Sequence, residues 1–131
     1  GLGDVYKRQA AGIAWSQDKA YYVADFVMNG FDTRVWFTPD AEWVMKQTDW
    51  ETLDEVPAAV FNAFAASEFS DGVVQNVTWV QFPEWQPIVA IQVGKPNMQM
   101  KYQILFTPKG EILRQQNITN AYNTLGASTF L

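Results

Sequence analysis

One stretch of this chain occurs twice, and the repeat limits what the chain can fold into. Phe37-Thr38-Pro39-Asp40-Ala41-Glu42-Trp43-Val44-Met45-Lys46-Gln47 returns as Phe106-Thr107-Pro108-Lys109-Gly110-Glu111-Ile112-Leu113-Arg114-Gln115-Gln116. Each copy ends a β-patterned run, turns at Thr-Pro, sets a Glu after the turn, and resumes with an apolar run that closes on a basic residue and Gln. Physically each is a hairpin of strand, Pro-set turn and return strand. Ile13-Ala14-Trp15 lies upstream of the first copy and Val77-Thr78-Trp79 upstream of the second. A duplicated antiparallel unit follows from these matches.

The rest of the chain fills in that unit. Ile13 to Ser16 reads as a short strand, and Gln17-Asp18-Lys19 as a turn. From Ala20 to Met28 the residues alternate, with Tyr22, Ala24, Phe26 and Met28 on one face and Tyr21, Val23, Asp25 and Val27 on the other. Asn29-Gly30 is a two-residue hairpin signal, because both residues tolerate positive φ. Phe31 to Thr38 puts Phe31, Thr33, Val35 and Phe37 on one face and Asp32, Arg34, Trp36 and Thr38 on the other. Glu42 to Gln47 returns as the fourth strand.

In the second half, strands are expected over 73–82, 88–93, 98–106 and 111–116. Pro83 to Pro87 forms a rigid loop between the first two. Superposing the copies pairs Phe37 with Phe106, Val35 with Ile104 and Trp36 with Leu105. The repeats span 12–48 and 53–116, and the polar tail 117–131 reads as weakly helical or irregular.

Between the repeats the period changes from two to helical. Thr52-Leu53-Asp54-Glu55 fits a capping box, and Pro57 sits early, where its missing N–H costs least. Val56, Val60, Phe61, Phe64 and Ala65 form one apolar stripe, and Ser70-Asp71-Gly72 ends it. The expected fold class is therefore α+β: an antiparallel sheet built from two hairpin-rich repeats and packed by the Pro57 to Ser67 helix.

Composition narrows the function. With 131 residues, six Trp, nine Phe and five Tyr, the chain is long and apolar enough for one domain with a real core. The formal charge is −5 and the basic residues are scattered, which argues against nucleic acid. No apolar run is long enough to span a bilayer. The absence of Cys and His removes thiol nucleophiles, Ser-His triads, structural zinc and His-ligated metals. Neither a metal nor a cofactor is expected.

Residues 1–9 do not read like the remainder. Asp4-Val5-Tyr6-Lys7-Arg8-Gln9 resembles the translation of a transposon-end adapter used in DNA library preparation, and is set aside as an artefact of sequence assembly. On that reading residues 10–131 are the domain, and an export signal and the helix of the first repeat are cut away.

Two sets of side chains are candidates for function. The carboxylates Asp40, Glu42, Asp49, Glu51, Asp54 and Glu55 cluster at a turn and before the helix, where caps and the helix dipole already account for them. No loop of spaced oxygen ligands suits Ca²⁺. The aromatic set is the better candidate. Trp36 shares a strand face with Asp32 and Arg34, and Leu105 takes its place in the second copy. With the helix covering the Phe37/Phe106 face, Trp36 and Leu105 are expected to face outward, with Tyr21 on the adjacent strand and Trp85 on its stiff loop. Exposed aromatics flanked by Arg or Lys are the usual anchors of protein interfaces. The bland alternative is that the tail or the lost helix covers this face. Trp15 and Trp79, at matching positions, are expected in the core.

The Val56-Pro57-Ala58-Ala59-Val60 helix start and the Phe106-Thr107-Pro108-Lys109-Gly110-Glu111 hairpin resemble the PepSY-like and β-lactamase-inhibitor-like envelope proteins of Bacteroidetes. The first copy departs from the pattern, with Ala41 where Gly is expected. The resemblance covers roughly Gly12 to Gln116. It implies an exported, periplasmic or cell-envelope protein without enzymatic activity that binds other proteins.

The resulting expectation is a non-catalytic binding module for an unknown protein or peptide, with Trp36, Leu105, Tyr21, Arg34 and Trp85 as binding residues. It does not cross the membrane by a helix, and it could self-associate through a sheet face exposed by truncation. The competing expectation is a small-ligand carrier or enzyme with a curved-sheet pocket near Met98, Met100 and Tyr102.

Overall fold

Each expected strand forms, and the eight lie side by side in chain order. The computed structural model describes residues 11–131. Its strands are β1 (Ala11–Asp18), β2 (Tyr21–Met28), β3 (Phe31–Phe37), β4 (Trp43–Asp49), β5 (Val73–Gln81), β6 (Ile88–Lys95), β7 (Met100–Phe106) and β8 (Ile112–Asn117), all paired antiparallel in sequence order. The adapter-like residues 1–9 lie outside the described residues.

The two halves of the sheet carry the same local geometry. β3 and β4 slip register between Trp36 and Phe37, and β7 and β8 slip between Leu105 and Phe106. The connecting turns match bond for bond. Thr38 N–H donates to Glu42 C=O at 2.8 Å, as Thr107 N–H does to Glu111 C=O at 2.8 Å. Each Thr hydroxyl also accepts the N–H of the Glu, both at 3.2 Å. Gly110 takes φ +86° and Ala41, its counterpart, φ +67°. In the Asn29-Gly30 turn both residues have positive φ, as hairpin twist demands.

The halves join through β4 and β5, whose ladder runs from Lys46 opposite Gln81 to Asp49 opposite Thr78. Their connection carries the helix. The Thr52 hydroxyl accepts from Asp54 N–H and caps a 3₁₀ turn over Leu53–Glu55. The α-helix α1 (Ala58–Ala65) then starts after Pro57 with no side-chain cap. The capping-box expectation is corrected accordingly: Pro57 separates the box from the helix it was expected to start.

α1 and the turn after it pack on one sheet face, with Val60 and Phe64 of the helix and Phe69 of the turn against Val77, Val89, Ile91, Ile104 and Phe106. Phe61, expected in the apolar stripe, is 49 % exposed. On the same face of the first half, Ala24, Phe26, Val35 and Phe37 form a second cluster. Trp79 packs at the margin of the helix core and stacks on Trp50 with centroids 5.1 Å apart. Trp15 does not share that role: it is 52 % exposed and touches Phe37 at the rim.

The opposite face carries Val23, Trp36, Met45 and Val80, with Tyr21, Val44, Phe82, Ile88 and Phe130 packed around them. The chain after β8 crosses it and ends in a short helix, α2 (Ala127–Phe130). Among the described residues no helix is long and apolar enough to cross a membrane.

Candidate functional site

The sheet face opposite α1 buries amide side chains, which invite a polar segment to lie on it. Gln47 on β4, Gln92 on β6 and Gln103 on β7 are buried on this face, and the tail supplies their partners. Gln47 Nε2 donates to Leu125 C=O at 2.5 Å and Gln103 Nε2 to Thr124 C=O at 3.0 Å. Gln92 Nε2 reaches both Gln103 Oε1 at 2.8 Å and Thr124 Oγ1 at 2.9 Å. A buried amide left without partners would cost on the order of 1–3 kcal/mol, so the three glutamines and the tail backbone satisfy each other. At the β1 end, Asp18 Oδ2 accepts from Ala127 N–H at 2.8 Å and from Trp36 Nε1–H at 3.0 Å.

This strap corrects the outward orientation expected of Trp36 and Leu105. They are 3 % and 5 % exposed, because the tail and Phe130 cover the face that the helix leaves free. Tyr21 is half-buried beside the Trp36 cluster. Arg34 stays exposed and pairs with Asp25 at 3.2 Å. Trp85 alone of the five stands well clear of the protein, 78 % exposed.

Trp85 is not isolated. Where the strap ends, an open cleft of about 680 Å³ remains between the Pro83–Gln86 loop, α2 and the outer strands. Phe82, Trp85, Ile88, Leu105, Leu113 and Phe130 give it apolar walls, with Glu84 and Arg114 among its polar groups. The structure thus brings Trp85 and Leu105 together and leaves Tyr21, Trp36 and Arg34 outside. Sequence reading missed Leu113, Arg114 and Phe130. The repeat held a signal for one of them, since Val44 and Leu113 occupy equivalent places in the two hairpins and both line the cleft.

Further along the same face, Asp32, Arg34 and Asp49 surround a small polar hollow of about 90 Å³. Burial pushes the Asp32 carboxyl above the usual range, helped by a hydrogen bond and the charge of Asp25. Burial also raises Asp49, against the hydrogen bond from Glu51 N–H. Among the described residues no group of three or more His, Cys, Asp or Glu is arranged to hold a metal.

The pocket expected between helix and sheet does not form there. Tyr102 packs on Phe69 at 5.2 Å within the helix core, and its hydroxyl meets Met100 Sδ at 3.0 Å. Met98 and Met100 instead line an open depression near Asn117 and Thr119.

Solved structures give the chain its relatives. A protein from Bacteroides uniformis of the DUF2874 family superposes with a TM-score of 0.94 at 67 % identity, covering 99 % of this chain and 96 % of that one. The chain belongs to the DUF2874 family. A protein from Bacteroides eggerthii described as periplasmic is 95 % identical, with a TM-score of 0.96 over 99 % of this chain and 93 % of that one. A BLIP-like protein from Bacteroides fragilis matches at 30 % identity and a TM-score of 0.83, over 94 % of this chain and 88 % of that one. No family model matches the chain, and no curated protein matches it. The relatives bear out the expected resemblance to Bacteroidetes envelope proteins and place this DUF2874 protein in the periplasm.

Proposed function

We propose that this periplasmic domain performs no chemistry and holds a protein or peptide in the cleft around Trp85. One observation carries the reading: Trp85, on a loop bracketed by Pro83 and Pro87, presents most of its surface beside an apolar cleft. A large rigid aromatic beside an apolar hollow has the makeup of an interface anchor, since it buries much area at little entropic cost. The likeness to a BLIP-like protein supports the same class of function.

Of the residues first expected to bind, Trp85 and Leu105 serve as wall and floor of the cleft. Arg34 is a charged contact farther along the face. Trp36 and Tyr21 support the sheet from beneath the strap. Self-association through the Trp36 face would require that strap to lift. A small-ligand carrier would rest on the open depression at Met98, away from the helix–sheet core.

The test compares proteins retained from periplasmic extract by the wild-type domain and by Trp85→Ala and Leu113→Lys variants. Both side chains are half or more exposed, so both variants keep the wild-type melting temperature. The reading expects them to lose a set of proteins that the wild type retains. Equal retention by all three contradicts it.

A further inference from the structure

The cleft is continuous with a sheet edge that no other described strand pairs with. β8 is the last strand, and β7 is its sole ladder partner among the described residues. Ile118 N–H donates to Lys101 C=O. Because inward and outward backbone groups alternate along an antiparallel strand, Arg114 and Gln116 turn theirs toward β7 while Gln115 and Asn117 turn theirs outward. Proteins commonly blunt such an edge with a bulge, a proline or a run of charge. β1, at the opposite edge, opens with a register shift and Gly12 at φ +68°. β8 has its own register shift beside Ile112, but from Arg114 to Asn117 its pairing is regular, with no proline and a single charge, and Ile112 and Leu113 are exposed.

Charge says what would suit this edge. The protein is acidic overall, at −5, yet the β7–β8 hairpin carries Lys101, Lys109 and Arg114 against Glu111 alone. Arg114 lies opposite Leu105 in the ladder, so it shares the face of the cleft. It also lines the cleft together with Leu113, as does Glu84.

We infer that the partner enters as an extended acidic segment of another protein, which adds a strand to β8 and places a bulky apolar side chain in the cleft beside Trp85. This rests on the reading of the cleft as the binding site. Main-chain hydrogen bonds to Gln115 and Asn117 supply register and affinity, and the cleft selects the side chain. The basic hairpin favours carboxylates and disfavours Lys or Arg at the same places.

The experiment selects random linear peptides on the immobilised wild-type domain and titrates the best one as a synthetic peptide. The selected sequences should carry acidic residues around an apolar anchor, and binding should weaken as salt rises. Gln115→Pro removes one outward N–H and should weaken the peptide about tenfold. Arg114→Glu should also weaken it about tenfold. Arg114 is exposed, so that variant decides the matter if Gln115→Pro fails to fold, and unchanged affinity in it overturns the inference. A peptide lost by Trp85→Ala but bound equally by Gln115→Pro and wild type overturns strand addition and leaves the cleft reading standing. Equal binding by Trp85→Ala overturns both. Selected peptides without acidic residues overturn the inference. So does a mass that doubles with concentration and reverts in Gln115→Pro, because the occupant is then a second copy of the chain.

Discussion

The Trp36 indole donates to the Asp18 carboxylate at 3.0 Å, and the same oxygen accepts Ala127 N–H at 2.8 Å. One acid therefore ties the largest side chain of the strapped face to the first turn of α2. Asp18→Ala leaves two donors without their acceptor and should lower stability by about 1–3 kcal/mol, read as the shift in urea unfolding. A stability equal to wild type would mean that water replaces the carboxylate at no cost.

The same group contributes to the loss of stability in acid. Burial alone would raise Asp18, but hydrogen bonds from Ala127 and Trp36 and the charge of Lys19 bring its carboxyl below the ordinary range. Its stabilising effect is complete above the unfolded value of about 4, and is lost as pH falls through the lower folded value. Asp32 and Asp49 act with the opposite sign. Burial leads in raising both, so stability falls as pH rises from the ordinary aspartate value through their raised folded values. Melting temperature against pH should therefore fall at the acid end, and Asp18→Asn should reduce that fall. Asp32→Asn should remove part of the decline on the other side.

The strap depends on amides as well as on Asp18. Gln103 donates to Thr124 C=O and accepts from Gln92. Gln103→Leu removes both bonds, leaving Gln92 with Thr124 Oγ1 and the Thr124 carbonyl with the Thr129 hydroxyl, and should loosen the tail before the sheet. Hydrogen exchange at Ala127 and Leu131, whose N–H groups donate to Asp18 and to Ala127 C=O, should accelerate while exchange in β6 holds. Uniform acceleration would show that the tail and the sheet open as one unit.

The two turns give a reciprocal pair of substitutions. Ala41 holds a left-handed conformation that glycine adopts freely, so Ala41→Gly should stabilise by about 0.5–1 kcal/mol. Gly110→Ala should do the reverse and more. Its new methyl would sit 2.5 Å from the Ala59 carbonyl oxygen, and a loss of about 2–3 kcal/mol is expected. Denaturant midpoints read both. Equal and opposite shifts would mean that α1 yields to the added methyl.

The hairpins were legible because their rules are local. Asn29-Gly30, the paired Thr-Pro turns and period-two alternation each fix a strand without reference to distant residues. Strap and cleft were not legible for the complementary reason. Trp36 and Leu105 alternate out of the helix-covered core as expected, but whether that face meets water depends on residues 118–131, which have no period. The sole sequence sign was chemical. Gln47, Gln92 and Gln103 fall on the strand face that also carries Trp36, Met45 and Leu105, and amides buried there need partners. Trp85 was legible because two prolines make its loop stiff, whereas Phe130 beside it comes from a four-residue helix too short for any pattern to reveal.

The measurement that tests the central claim most directly is site-specific photo-crosslinking in living cells. A photoreactive side chain is placed in turn at positions 85, 113, 61 and 15 of the periplasmic protein. Trp85 and Leu113 line the cleft, whereas Phe61 and Trp15 are exposed elsewhere. The account predicts one discrete adduct from positions 85 and 113 and none from 61 or 15. Adducts from 61 or 15, with none from 85, would contradict it.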